Sequence, residues 1–245
     1  MRQETRLFTR HLLDNNLSIV NFLDSDFTFV NTRLADLYNC ERPTGSSFER
    51  VTLTDRRRGG LLGQASVLTV TANGIDTSPV VRGVWLLENI LGTPPSPPPP
   101  DVEPLDPDIR GAKTIREQLS KHRDVASCYD CHRRIDPLGF ALENFDPIGN
   151  WRETYERNSA IDAAGELPNG RAFNNIEGLK KILVDQRSLF AKSLTEKLLA
   201  YATGRHIVAA DRPHIDQIVT ESANNGEGLR DLIKLVVMSQ PFRAK

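Results

Sequence analysis

The sequence predicts a mainly α-helical protein. A helical N-terminal lobe covers residues 1–92, a proline-rich strap 93–108, and a helical C-terminal lobe 109–245 that contains a small β excursion. Three observations predict this. Apolar residues recur at three- and four-residue spacing along most of the chain, and several of these runs begin at capping residues. Prolines at 94, 95, 97–100, 104 and 107 crowd one stretch, which reads as stiff polyproline II dividing two lobes. The dipeptides Ala164-Gly165 and Asn169-Gly170 are turn signals, placing a hairpin or irregular excursion between Trp151 and Phe173.

In chain order, Leu7, Phe8, His11 and Leu12 line one face of an amphipathic helix over 2–15, and Ile19 to Leu23 forms a short apolar turn. Asp26 to Val30 is extended or turn-like, and Asn31 caps a helix from Thr32 to Tyr38. Glu49 to Thr54 alternates as a short strand does. Arg56-Arg57-Arg58-Gly59-Gly60 matches no phosphate-cradling pattern and reads as a solvated basic turn. Leu61 to Ala72 is apolar and β-branched, equally compatible with helix and strand. Thr77 or Ser78 then caps a helix with Pro79 at its first position; Val80, Val84, Leu87 and Leu91 line one face, and Gly92 ends it.

Beyond the strap, Thr114-Ile115-Arg116-Glu117 is a capping box that opens a helix reaching about His122. Asp136-Pro137 is expected to begin a new helical turn. Helices are expected over Ile176–Val184, Ser188–Thr203, Pro213–Asn224 and Leu229–Ser239, the last stopped by Pro241.

Composition narrows the function classes. The 245 residues are 39% hydrophobic and balance 31 basic against 32 acidic side chains, a net charge of −1. That balance points to neither nucleic acid nor an anionic membrane surface as partner. No apolar run is long enough to span a membrane, and three cysteines do not make a disulfide framework. No nucleophile elbow, P-loop, zinc-protease helix or calcium loop is present.

One stretch declares a chemistry. Cys128-Tyr129-Asp130-Cys131-His132 is C-x-x-C-H, the attachment signature of c-type haem. Three residues make about one helical turn, so both thiols emerge on one face and can bond the same porphyrin. His132 follows on that turn as the proximal iron ligand. Its other ring nitrogen should donate to a carbonyl or carboxylate, with Asp136 or the backbone near Pro137 within reach. Asp136 acting only as a helix N-cap is the competing reading. Arg133 and Arg134 could clamp haem propionates or form a solvated basic pair. The sixth ligand stays open between Met238 and His122, with core filling and helix capping as their respective alternatives.

Zinc is the rival metal, because Cys40 could join Cys128, Cys131 and His132 in a Cys₃His set. Cys40 lies far upstream without a second knuckle, so a buried small hydrophobe is the simpler reading. The expected cofactor is therefore one covalent haem c in a cytochrome c-like C-terminal lobe. Three functions compete: an electron-transfer domain, a peroxidase-like haem enzyme with an open sixth position, and a structural zinc-binding or interaction module. The expected partner is a redox protein or another haem domain.

Longer stretches carry a resemblance. Gly60 to Thr71, Thr77-Ser78-Pro79-Val80-Val81-Arg82-Gly83 and Leu91-Gly92-Thr93-Pro94-Pro95 resemble the domain of unknown function 1588. The start of the chain is similar to the end of domain 1592. Leu198 to Arg205 and Ser239-Gln240-Pro241-Phe242-Arg243 resemble domain 1585. The segment His122 to Asp146 reads much like the haem segment of the same family, planctomycete-type cytochrome c proteins. The resemblance implies a haem cofactor, an exported or periplasmic setting, and a chain that begins part-way through a larger protein.

Overall fold

The computed structural model describes residues 1–96, 114–117, 119, 126–155 and 158–244, and of residues 126–128 the backbone alone. The helix expected to reach His122 lies beyond these, apart from a helical turn at 115–117 whose first amide arm is present: Glu117 N–H donates to Thr114 Oγ1 at 3.2 Å. Most of the strap also lies outside the described residues. The fold is mainly helical with two small two-stranded sheets, as the periodicity predicts.

Packing sorts the chain into two compact units. One joins Met1–Val67, Asn89–Gly92 and Lys180–Lys245; the other joins Leu68–Glu88 and Thr93–Leu179. Each unit gathers segments that are distant in the chain.

In the first unit, helix α1 (Arg2–Asp14) buries Phe8 and Leu12. They pack beside an antiparallel ribbon of β1 (Phe27–Val30) and β2 (Glu49–Thr52), with Phe27 opposite Thr52. Phe8 meets Phe27 and Phe22 at ring separations of 5.3 and 6.0 Å. Phe22 also reaches Phe190 at 6.1 Å, edge-on geometry that adds to the area each ring buries. Helix α2 (Thr32–Tyr38) starts where Asn31 Oδ1 accepts the Leu34 amide at 3.0 Å and ends at Asn39 in the left-handed conformation. Helix α3 (Ala65–Val70) settles the ambiguous segment as helix, preceded by a 3₁₀ turn at Leu61–Gly63.

Chain ends meet in this unit. Ile19 N–H donates to Glu227 O at 2.8 Å, and Leu229 N–H to Leu17 O at 3.0 Å. The C-terminal helices are α7 (Arg187–Thr203), α8 (Arg212–Asn224), α9 (Leu229–Met238) and α10 (Gln240–Arg243). Pro241 sits near the start of α10, so it opens a last short helix as well as following α9. Helix α6 (Ile176–Asp185) contributes Lys180, whose ammonium donates to the Arg56 and Arg57 carbonyls at 2.8 and 3.0 Å. The basic turn is not simply solvated: Arg58 is buried, its guanidinium 4.3 Å from the Tyr38 ring centroid. Stacking removes that planar cation from water at small cost because guanidinium is weakly hydrated.

Glu4 is the unusual residue of this core. It has no exposed surface, and its two carboxylate oxygens accept from Thr28 at 2.8 Å and Tyr38 at 2.7 Å. Burial outweighs these bonds and pushes its carboxyl from 4.5 up to about 7. The folded state therefore holds a proton that the unfolded chain has lost above pH 4.5, so Glu4's contribution is full at acid pH and fades as pH rises through 7. Urea unfolding should show stability falling by up to about 3 kcal/mol from pH 5 to pH 8, and Glu4→Gln should remove most of that slope.

The second unit is built on two crossing helices, α4 (Pro79–Leu86) and α5 (Ala126–Phe140). Ser78 Oγ accepts the Val81 amide at 3.3 Å, with Pro79 at the first position, as predicted. The buried face differs in part from prediction: Leu87 is buried as expected, but Val80, Val84 and Leu91 are only half-buried, while Pro79, Arg82, Gly83 and Leu86 are buried. The reason is close approach. A Cβ on Gly83 would lie 2.1 Å from the Ile135 carbonyl oxygen, and one on Gly139 would lie 1.8 Å from the Pro79 carbonyl oxygen. Pro79 against Gly139 and Gly83 against Ile135 make the crossing antiparallel.

Helix α5 also corrects the expected break at Asp136-Pro137, because it runs unbroken through Pro137. A proline inside a helix loses one amide bond and crowds the preceding turn; burial of Ile135, Leu138 and Phe140 offsets that loss. Beyond α5 the hairpin of β3 (Gly165–Glu166) and β4 (Ala172–Phe173) turns at Asn169-Gly170. Gly83→Ala and Gly139→Ala should each destabilise this unit by about 1–3 kcal/mol through overpacking, although alanine ordinarily favours a helix. Both tryptophans, Trp85 and Trp151, belong to this unit, so their fluorescence during denaturation reports the loss.

Candidate functional site

The C-x-x-C-H stretch occupies the first half of α5. Positions 128, 131 and 132 are spaced three and four residues apart, so they share one face of a continuous helix. Cys131 is a half-buried thiol outside any disulfide. His132 keeps 13% of its side chain exposed, while Asp136, one turn on, is fully buried. Their side chains meet: His132 Nδ1 lies 2.9 Å from Asp136 Oδ1. Asp136 is thus a partner for the imidazole in mid-helix, and the N-cap reading of it fails because α5 neither starts nor breaks there.

The outward face of the same helix is polar. Tyr129 is half exposed, Arg133 pairs with Asp130 at 3.2 Å, and Arg134 is exposed. Arg133 is therefore engaged along its own helix. A surface pair of this kind contributes little stability and is easily exchanged for another anion.

Below the motif, the end of α5 is held by a side chain that sequence reading passed over. Arg82 has no exposed surface and lies within α4. Its guanidinium donates to the carbonyls of Leu142 at 2.7 Å, Phe145 at 2.8 Å and Asp146 at 3.1 Å. These carbonyls belong to the turn after α5, so Arg82 fixes the chain where it leaves the helix. Glu143, also fully buried, faces Arg82 at 3.4 Å. It accepts from Thr77 at 2.7 Å and Tyr155 at 3.3 Å, with Arg152 3.5 Å away. Burial pushes the Glu143 carboxyl up and brings Arg82 down to about 10, each partly restored by the other's charge. Arg116 adds a second clamp, its guanidinium 3.9 Å from the Phe140 ring and donating to Asp162 O and Ala164 O.

Two signals could have found this frame. A lone arginine on an otherwise apolar helix and glycines at 83 and 139, where helix propensity disfavours them, both ask for a tertiary reason.

The other candidate ligands separate. Met238 is 65% exposed at the end of α9 and belongs to the first unit, so it is not core filling. His122 lies outside the described residues. Cys40 is half-buried against the cluster of Val30, Leu34, Ala35, Tyr38, Val51 and Ala65, where burial pushes its thiol up. That is the small-hydrophobe role. Among the described residues, no three of His, Cys, Asp or Glu gather as a metal site. No helix among them is long and apolar enough to cross a membrane.

The fold and site thus define a mainly helical protein with a C-x-x-C-H helix braced by a buried Arg–Glu frame. Comparison with protein families takes this further. Residues 1–40 match the family described as protein of unknown function DUF1592, residues 58–155 match DUF1588, and residues 169–242 match DUF1585. In this order the three matches are similar to the domain arrangement at the end of planctomycete-type cytochrome c proteins. No curated protein and no solved structure matches it.

Replacing Arg82 by alanine leaves Glu143 buried without its main counter-charge. Tryptophan-monitored denaturation should show a loss of about 3–5 kcal/mol, and Arg82→Met with Glu143→Leu together should lose less than the sum of the single changes.

Proposed function

We propose that this chain carries one covalently attached haem c, with Cys128 and Cys131 as thioether anchors and His132 as proximal ligand, and that it transfers electrons within an exported protein. The observation carrying the reading is the His132–Asp136 pair. A metal-binding imidazole characteristically donates its second nitrogen to a carboxylate or carbonyl, which fixes tautomer and ring orientation. Here Asp136 lies 2.9 Å from Nδ1, leaving Nε2 as the nitrogen that would bind the iron. The half-buried thiol of Cys131 stands one residue before, in the position the motif requires.

When bound, the haem supplies a one-electron couple at iron. The protein's part is to bind, orient and insulate. Gly83 and Gly139 hold α4 against α5 from behind, and Arg82 ties down its C-terminal end. The exposed side of the motif turn, with Tyr129, Arg133 and Arg134, leaves an edge for a redox partner protein or a second haem domain to approach. The two arginines are available there to haem propionates or to an acidic partner. The order of the three family matches supports the same setting, an exported cytochrome-type protein.

Expression with a c-type maturation system should give a protein that stains for haem on a denaturing gel and shows a reduced c-type spectrum. Cys128→Ala with Cys131→Ala should abolish the stain. A low-spin six-coordinate spectrum supports electron transfer, and a high-spin five-coordinate one a peroxidase-like enzyme. A colourless, zinc-loaded protein would falsify the haem reading.

A further inference from the structure

We infer that Asp136 is the positioning residue that sets the oxidation-state preference of this site, by holding the Nδ1 proton of His132 and enriching Nε2 in electron density. The inference rests on haem binding at His132 and deepens it by assigning the site a reduction potential on the low side.

The acceptor's charge is the first argument. A carboxylate takes a stronger hydrogen bond from an imidazole N–H than a neutral carbonyl does, and second partners of this kind raise the basicity of the ligand. A more electron-rich ligand favours the ferric iron over the ferrous, which lowers the potential. Reduction adds one electron to the iron from the redox partner, and no bond forms or breaks.

Rigidity is the second argument. His132 and Asp136 are four residues apart on one continuous helix, where side chains stand one above the other. The backbone around Asp136 is gripped on both sides: the Ile135 carbonyl lies against Gly83, and Gly139 against the Pro79 carbonyl. Asp136 itself has no exposed surface, so water does not compete for its bond to the ring. The crossing of α4 and α5 thus fixes the backbone from which Asp136 reaches the ring.

The test is an equilibrium redox titration of the haem-loaded protein and its Asp136→Asn variant. Asparagine keeps the shape and an acceptor oxygen but loses the charge. The midpoint should move to higher potential with haem still attached, and by more than in Asp130→Asn, which removes an exposed charge from the same helix. An unmoved or lowered midpoint, or equal shifts in the two variants, overturns the inference while leaving haem attachment standing. Wild-type protein that attaches no haem overturns the proposed function and this inference together. A second readout covers a variant that fails to fold. In haem-free wild-type protein at pH 9, ¹⁵N chemical shifts of His132 should show the proton on Nδ1 and a bare Nε2. The reverse tautomer overturns the inference.

Discussion

The buried pair of Arg82 and Glu143 is the constraint on which the second unit depends. Two charges out of water are costly, and this chain meets the cost by giving each several partners. Arg82 spends its donors on three backbone carbonyls and on Glu143, while Glu143 gathers hydroxyls from Thr77 and Tyr155. Those partners come from three separate stretches of sequence, around Thr77, Leu142–Asp146 and Tyr155. A hydrophobic replacement could fill the same volume, yet it would not specify where the segment after α5 turns back. The pair therefore acts as a registry device, fixing one arrangement among several that apolar packing alone would tolerate.

The glycine crossing acts together with that pair. Helices usually pack with axes 8–10 Å apart because side chains separate them; Gly83 and Gly139 remove the separators and bring backbone against backbone. Helix α5 is then a rigid beam with two faces. One face runs His132, Asp136 and Gly139 and passes from half-buried at His132 to buried at Asp136 and Gly139. The other carries Tyr129, Asp130, Arg133 and Arg134 and is wet. A motif on such a beam has its chemistry at the boundary, braced from behind and reachable from outside.

The first unit obeys a different logic. Its core is an aromatic cluster around Phe8, Phe22 and Phe27, beside which the turn after α1 bonds the chain at the start of α9. Its polar interior residues serve local geometry. Glu4 joins α1 to β1 and α2 through two hydroxyls, and Lys180 caps the turn of three arginines through its carbonyls. Both carry ionisation equilibria moved toward neutrality by burial, Glu4 up to about 7 and Lys180 down to about 8.

Local chemistry by itself determined much of this protein. Asn31, Ser78 and Asn169-Gly170 mark element boundaries because capping and turn formation act within a few residues, and helical periodicity located the C-terminal helices. The C-x-x-C-H spacing is equally local, since one helical turn defines it. Tertiary structure decided what depends on distant partners. It rotated the buried face of α4 to Arg82 and Gly83, carried α5 through Pro137, turned Asp136 from a possible cap into the partner of His132, and exposed Met238. The α4–α5 crossing behind the first two is set by neighbours more than fifty residues apart, which leave no periodic trace in the chain; the His132–Asp136 pair is one helical turn long but forms only because α5 continues through Pro137.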